Sequence, residues 1–280
     1  TRPRRLMADK RALSPAISTV IITSAVVILV LVAVVFANTQ LYSRIAENEF
    51  SAMKQFMQTV GLQIDDVSWI PGRTQTLRYA SRFGQVAFID STLNYSIYVN
   101  KGAGYVLLAN YTAGILLYDL SVSRYSIGNN YQERIFPLND SFLQQGASAP
   151  VCQVFAVQKL PMPDGEYLRI VAAPAIRMLN STITSGGTTT NYFDFYLPVL
   201  LRGTNPYHSQ SLTITGESVS VKTESNVNAV RIDVSFPKSA QGLDQDFFKF
   251  NNVTQVINIP AGSVIEFYSS EVTVSLGLYF

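Results

Sequence analysis

From Ala12 to Ser43 the chain carries no charged residue. Within that stretch, Ala16 to Ala37 is a run of 22 residues made of Ala, Val, Ile, Leu and Phe, apart from Ser18, Thr19, Thr23 and Ser24. Wound as a helix at about 1.5 Å per residue, it matches the roughly 30 Å hydrocarbon core of a bilayer. Such a segment must be covered by lipid or by other apolar surface. It therefore reads as a membrane helix, and everything after Asn38 reads as the cargo it holds at a membrane or in a filament. The four hydroxyls can bond back to helix carbonyls, and the small residues beside them would also let another helix approach closely.

The charge distribution gives this segment a direction. Of 21 Lys and Arg, five (Arg2, Arg4, Arg5, Lys10, Arg11) fall in the first 12 residues against one of the 19 acids, Asp9, leaving 16 basic and 18 acidic residues beyond. A basic cluster just before an apolar span keeps that end on the cytoplasmic side. A basic cluster at one end of a near-neutral body is not evidence for nucleic-acid binding, which wants a basic patch on the folded domain, and no nucleic-acid partner is expected. Met7 is a candidate start within this cluster. Ser14 and Pro15 are a candidate N-cap and first-turn residue for the helix.

The helical pattern continues past the span. Tyr42, Ala46, Phe50, Met53, Met57 and Val60 recur at spacings of three and four, with Arg44, Glu47, Glu49, Lys54 and Gln58 expected on the other side. No Gly or Pro interrupts Ala16 to Val60, and Gly61 is the expected C-cap. The reading is one rod of about 45 residues and about 65 Å, apolar all round at first and one-sided later.

Beyond Pro71-Gly72 the period changes to two. About a dozen short strands rich in aromatic and β-branched residues are expected, at 76–83, 85–89, 93–99, 105–109, 114–120, 151–159, 166–178, 192–201, 211–215, 218–223, 229–236, 255–259, 264–268 and 271–280. Pro163-Asp164-Gly165 is a candidate hairpin turn, and Ser185 to Thr190 a candidate exposed loop. The last run alternates and ends on Phe280 as outer-membrane barrel strands do, but a membrane helix at the other end favours a strand inside the sheet of a globular head. The fold class is therefore α+β: a long N-terminal transmembrane or filament-core helix followed by an all-β, antiparallel, sandwich-like head.

Residues able to carry chemistry are few. The one cysteine, Cys152, sits in the apolar run Val151 to Phe155 and reads as a core thiol, so no intramolecular disulfide is available. The one histidine, His208, lies in the turn-like Asn205-Pro-Tyr-His-Ser-Gln with no nucleophile elbow near it. One His and one Cys cannot build a zinc site. Asp65-Asp66 and Asp244-Gln-Asp246 are acidic neighbours without a full loop of calcium ligands. No phosphate-binding glycine loop is present. The tally argues against an enzyme and implies no metal and no cofactor. A hydrolase built on paired carboxylates alone would leave no local mark and stays open. Five triplets, beginning at Asn94, Asn110, Asn139, Asn180 and Asn252, are candidate N-glycosylation acceptors, all beyond the apolar span.

The block Lys10-Arg-Ala-Leu-Ser-Pro-Ala-Ile-Ser-Thr-Val-Ile with its apolar continuation resembles the class III signal peptide of archaeal type IV pilin-like proteins. The resemblance covers about 30 residues. It implies that a prepilin peptidase recognises Lys10, Arg11, Ala12, Leu13, Ser14 and Pro15 and cuts after Ala12, so that the freed helix leaves the lipid and packs with other pilin-like subunits. Position five of the implied mature chain is Ile17, where the bacterial pattern has Glu. On this reading residues 1–12 are a basic leader, 13–61 the helix and 62–280 the head. The size of the head implies a minor or adhesive filament subunit, with a surface or glycan ligand that the sequence does not identify.

Two further readings stand beside it. One is an uncleaved, single-pass, membrane-anchored surface protein with a binding head. The other is a conventionally secreted protein cut after Val35-Phe-Ala37, for which the apolar run is longer than usual.

Overall fold

The computed structural model describes the backbone of residues 10–203 and 210–277, and side chains from Ile17 onward. The chain divides into two compact units, residues 1–47 and 48–280. One helix, α1, runs from Lys10 to Ser68, three residues earlier and seven later than the expected 13–61. Its start places Ser14 and Pro15 inside the helix rather than at its cap. Lys10, Arg11, Ala12 and Leu13 are all strong helix formers and carry the helix back past the proline.

Gly61 does not end α1 either. It lies mid-helix on the face pressed against the sheet, where an added Cβ would stand 3.0 Å from Val154 Cγ2 and 3.7 Å from Cys152 Sγ. With no side chain at this position the helix axis can approach the strand, against a propensity cost of about 1 kcal/mol relative to alanine. Phe50, Met53, Met57, Val60, Ile64 and Val67 are all buried, so the apolar stripe is two turns longer than the one ending at Val60. Past Ser68 the chain turns: Gly72 donates its N–H to Gly216 O at 2.7 Å, and Gly216 returns its own to Arg73 O at 2.9 Å.

The rest of the second unit is dominated by one sheet. Its strands are β1 (Thr74–Arg78), β2 (Gly84–Asn100), β3 (Tyr105–Ser121), β4 (Tyr131–Phe136), β5 (Leu143–Gln145), β6 (Cys152–Gln158), β7 (Tyr167–Pro174), β8 (Ile176–Ser185), β9 (Thr188–Arg202), β10 (Ser211–Ser235) and β11 (Thr254–Leu276), with a short helix α2 (Gln245–Phe248) before the last. The order is β4-β6-β7-β3-β2-β10-β11-β9-β8-β5, and β1 pairs with β10. All pairings are antiparallel except β9 with β11 and β5 with β8. The C-terminal strand β11 is central, between β10 and β9.

The strands are fewer and longer than the period-two pattern suggested. Segments 85–89 and 93–99 are one strand, and 211–215, 218–223 and 229–236 are another. The residues between them are bulges: the register slips between Ile89 and Leu93, where Ser91 takes φ 48°, and between Glu224 and Val227, where Asn226 takes φ 59°. A bulge bends a strand without ending it, and long strands that bend let a sheet curl. The Ser185 to Thr190 segment is mostly strand, with only Gly186-Gly187 turning between paired Ser185 and Thr188.

Side chains alternate between two cores, one on each face of the sheet. On β6, Cys152, Val154 and Ala156 face the buried stripe of α1 together with Leu116, Tyr118, Ile170 and Leu212. Phe155 and Val157 point the other way, into a larger cluster that includes Tyr95, Ile115, Phe195, Val230 and Phe267. The sheet folds over this second cluster, so that β3 and β9 approach one another although three strands separate them in hydrogen-bonding order. Phe142, Phe155, Phe236, Phe247, Phe248 and Phe250 close one side with edge-on and stacked contacts of 5.2–6.2 Å between centroids.

Candidate membrane and assembly helix

In the first unit, fifteen large aliphatic and aromatic side chains between Ile17 and Leu41 are more than half exposed, among them Val20, Leu29 and Phe36 at 64–67 %. Hiding each contributes about 1.5 kcal/mol or more, so together they favour burial by on the order of 20 kcal/mol, more than the typical stability of a whole domain. The segment is long and apolar enough to cross a membrane. Two of its hydroxyls bond back along the helix: Thr23 Oγ1 donates to Thr19 O at 2.5 Å and Thr39 Oγ1 to Val35 O at 2.9 Å. That arrangement suits a surrounding with no water to satisfy them.

Lys10 to Pro15 are helical in backbone, and their side chains lie outside the described set. Val35-Phe-Ala37, the site of the conventional-secretion reading, lies inside the same uninterrupted helix.

In the second unit, one acid on α1 does what the sequence pattern did not suggest. Glu49, expected on the solvent side, is only 9 % exposed. It sits one residue before Phe50 and four before Met53, on the packed face. Its carboxylate accepts backbone N–H groups from Arg82, Phe83 and Gly84 at 3.0–3.2 Å, and the hydroxyls of Ser81 and Tyr118 at 2.5 Å. Burial pushes the Glu49 pKa up, but these donors outweigh it and hold the carboxyl below its ordinary value. Tyr118 moves upward, first by burial and then by donating to the carboxylate. The tight loop from Ser81 to Gly84 is thus tied to the helix through one side chain. A helix glutamate between a small and an aromatic position of the apolar stripe was the available signal.

Farther along α1, Lys54 meets Glu133 at 2.7 Å. Asp65 accepts Trp69 Nε1 at 2.8 Å and Arg177 at 2.9 Å, while Asp66 pairs with Arg73 at 2.6 Å. The other acidic pair is also occupied: Asp244 caps α2 by accepting Phe247 N–H and holds Lys159 at 2.6 Å, and Asp246 faces Lys249. Among the described residues no three His, Cys, Asp or Glu side chains gather as a metal site would need. Cys152 is fully buried and its thiol is pushed up by burial. His208 lies outside the described residues.

A buried cation was not anticipated. Arg169, 1 % exposed, joins Asp119 at 3.0 Å and Asp164 at 2.7 Å, beside the turn where Gly165 donates to Met162 O. Arg134 likewise ties β4 to Asp140 and to the carbonyls of Phe248 and Lys249. Of the five candidate glycosylation asparagines, Asn110, Asn139, Asn180 and Asn252 are exposed and Asn94 is half-buried. Comparison with protein-family models, curated proteins and solved structures gave no match.

Proposed function

We propose that this chain is a subunit of an archaeal type IV pilus-like surface filament, a minor or adhesive pilin assembled through α1. The observation that supports it is the two-part character of one continuous 59-residue helix: exposed apolar side chains from Ile17 to Leu41, then a one-sided stretch built into the head's core. A helix used only to tether a domain needs no such continuity. A helix that transfers from lipid into a bundle of its own kind can bury its first part against other copies while its second part stays packed in its own head.

On this reading the basic end is cytoplasmic, a prepilin peptidase cuts between Ala12 and Leu13, and the head is extracytoplasmic. Lipid covers the apolar segment until other subunits replace it. The head acts by binding, with no catalytic centre and no cofactor. Sequencing the mature N-terminus and imaging the purified protein by electron microscopy test this: Leu13 as first residue together with filaments supports it, and an intact leader with only monodisperse detergent-solubilised particles sinks it. That second outcome would support the single-pass anchor, which the exposed apolar segment alone also favours.

A further inference from the structure

The sheet brings three of the five Asn-X-Ser/Thr triplets onto one outward face. Across β3, β2, β10 and β11 one row of paired residues reads Asn110, Ser96, Asp233, Thr254, and the next reads Thr112, Asn94, Ser235, with Asn252 two residues before Thr254 in line with it. Beyond the last paired residues, Val234 N–H still donates to Val253 O at 2.7 Å, and the exposed Asn252 directly precedes Val253. Thr112 Oγ1 reaches Asn94 Oδ1 at 3.3 Å and Thr254 Oγ1 reaches Asp233 Oδ1 at 2.9 Å, which fixes these side chains on a common side. The middle residue Tyr95 points inward to the core. The two rows thus hold three asparagines, and each belongs to a triplet whose hydroxyl stands on the same face. Asn139 differs, since its amide exchanges two hydrogen bonds of 2.7–2.8 Å with Gln144.

We infer that this face carries N-linked glycans at Asn94, Asn110 and Asn252. In each transfer a bond forms between Asn Nδ2 and the anomeric carbon of a lipid-linked oligosaccharide. The bond from that carbon to the lipid phosphate breaks, the phosphate leaves with the electron pair, and the Nδ2 proton passes to a base of the transferring enzyme. Asn94 and Asn110 are diagonal neighbours on adjacent strands, about 7–8 Å apart, so their first sugars lie side by side. Asn252 is two strands from Asn94, about 10 Å away at the usual strand spacing. Glycans this close cover the face, and subunit contacts must use other parts of the head.

The inference rests on the extracytoplasmic orientation proposed above and not on filament assembly. Trypsin places the five triplets on five separate peptides, cleaving at Arg82, Lys101, Arg124, Arg134, Lys159, Arg177, Arg202 and Lys249. Mass spectrometry of the full-length protein from its own cells should find sugar-sized additions on the peptides of Asn94, Asn110 and Asn252. Ser96→Ala, Thr112→Ala and Thr254→Ala should each remove one addition and leave the other two. Recovery of all three peptides only in unmodified form overturns the inference, as does modification confined to Asn139 or Asn180. Protease shaving of intact cells separates the causes: a protected head means the orientation has failed, and a digested but unmodified head means the glycan face alone has failed.

Discussion

The Tyr118 hydroxyl on β3 donates to the Glu49 carboxylate on α1 at 2.5 Å, and the same carboxylate gathers three backbone N–H groups of the Ser81 to Gly84 loop. Removing the charge leaves several part-buried donors unsatisfied at once. Glu49→Gln should therefore destabilise the head by about 2–4 kcal/mol, and Tyr118→Phe by about 1–2 kcal/mol, from the usual strength of charge-assisted bonds. Thermal melts of the two single variants and the double variant check this. Strictly additive losses would show that the two side chains do not act together.

The same site sets part of the acid response. Glu49 has a folded-state pKa below its ordinary value of 4.5, with burial opposing and the hydrogen bonds prevailing. A depressed carboxyl contributes stability that is full above the unfolded pKa and is lost as pH falls through the folded one. Glu133 and Asp244, held by Lys54 and Lys159 against the effect of burial, act in the same direction. Asp119 has the opposite sign. Burial raises it to about 6 in spite of Arg169, so its contribution is present below about 3.8 and is lost as pH rises through about 6. Unfolding titrations should show the wild-type advantage over Glu49→Gln shrinking below pH 4.5. The advantage over Asp119→Asn should shrink between pH 4 and 6. Parallel curves in either case would contradict the assignment.

Gly61 offers a test of close packing against helix propensity. An alanine Cβ would meet Val154 Cγ2 at 3.0 Å, a contact that a small shift of the valine relieves. The gain in propensity is about 1 kcal/mol, so Gly61→Ala should change stability by less than about 1 kcal/mol. Gly61→Leu should cost about 3 kcal/mol or more, because the extra atoms have no room between α1 and β6. Chemical denaturation separates the two, and a tolerated leucine would mean that the helix sits farther from the sheet.

The apolar run and the 3.6 period marked α1, because burial of one face repeats along the chain. Gly61 was misleading because the same residue suits a helix end and a tight helix-sheet contact, and only the partner strand decides. Glu49 was assigned to water by its charge, while its helical position put it among Phe50 and Met53. The strand regions of the head were legible from their alternation, but Ser91 and Asn226 read as breaks because a bulge and a turn use the same residue types. β4 was missed because Tyr131-Gln-Glu-Arg-Ile-Phe136 mixes polar side chains on an edge strand with neither face fully buried. The three-triplet face could not be read at all, since Asn94, Asn110 and Asn252 meet only through the pairing of four strands.

The boundary of the folding unit follows from which side chains complete the core. The second compact unit begins at Asn48, and Phe50, Met53, Met57 and Val60 are each no more than 2 % exposed. A fragment starting at residue 62 loses those four side chains and the Glu49 ties. At about 1.5–3 kcal/mol each, the side chains alone amount to about 6–12 kcal/mol, most or all of a typical domain's stability. A fragment starting at residue 48 keeps them and sheds the exposed apolar segment. The 48–280 fragment should be soluble without detergent, monomeric in size-exclusion chromatography and cooperative in melting. The 62–280 fragment should aggregate or melt without a transition. Equal behaviour of the two would mean that the α1 segment from residue 48 to 61 rests on the sheet without stabilising it, and would contradict its place in the head's core.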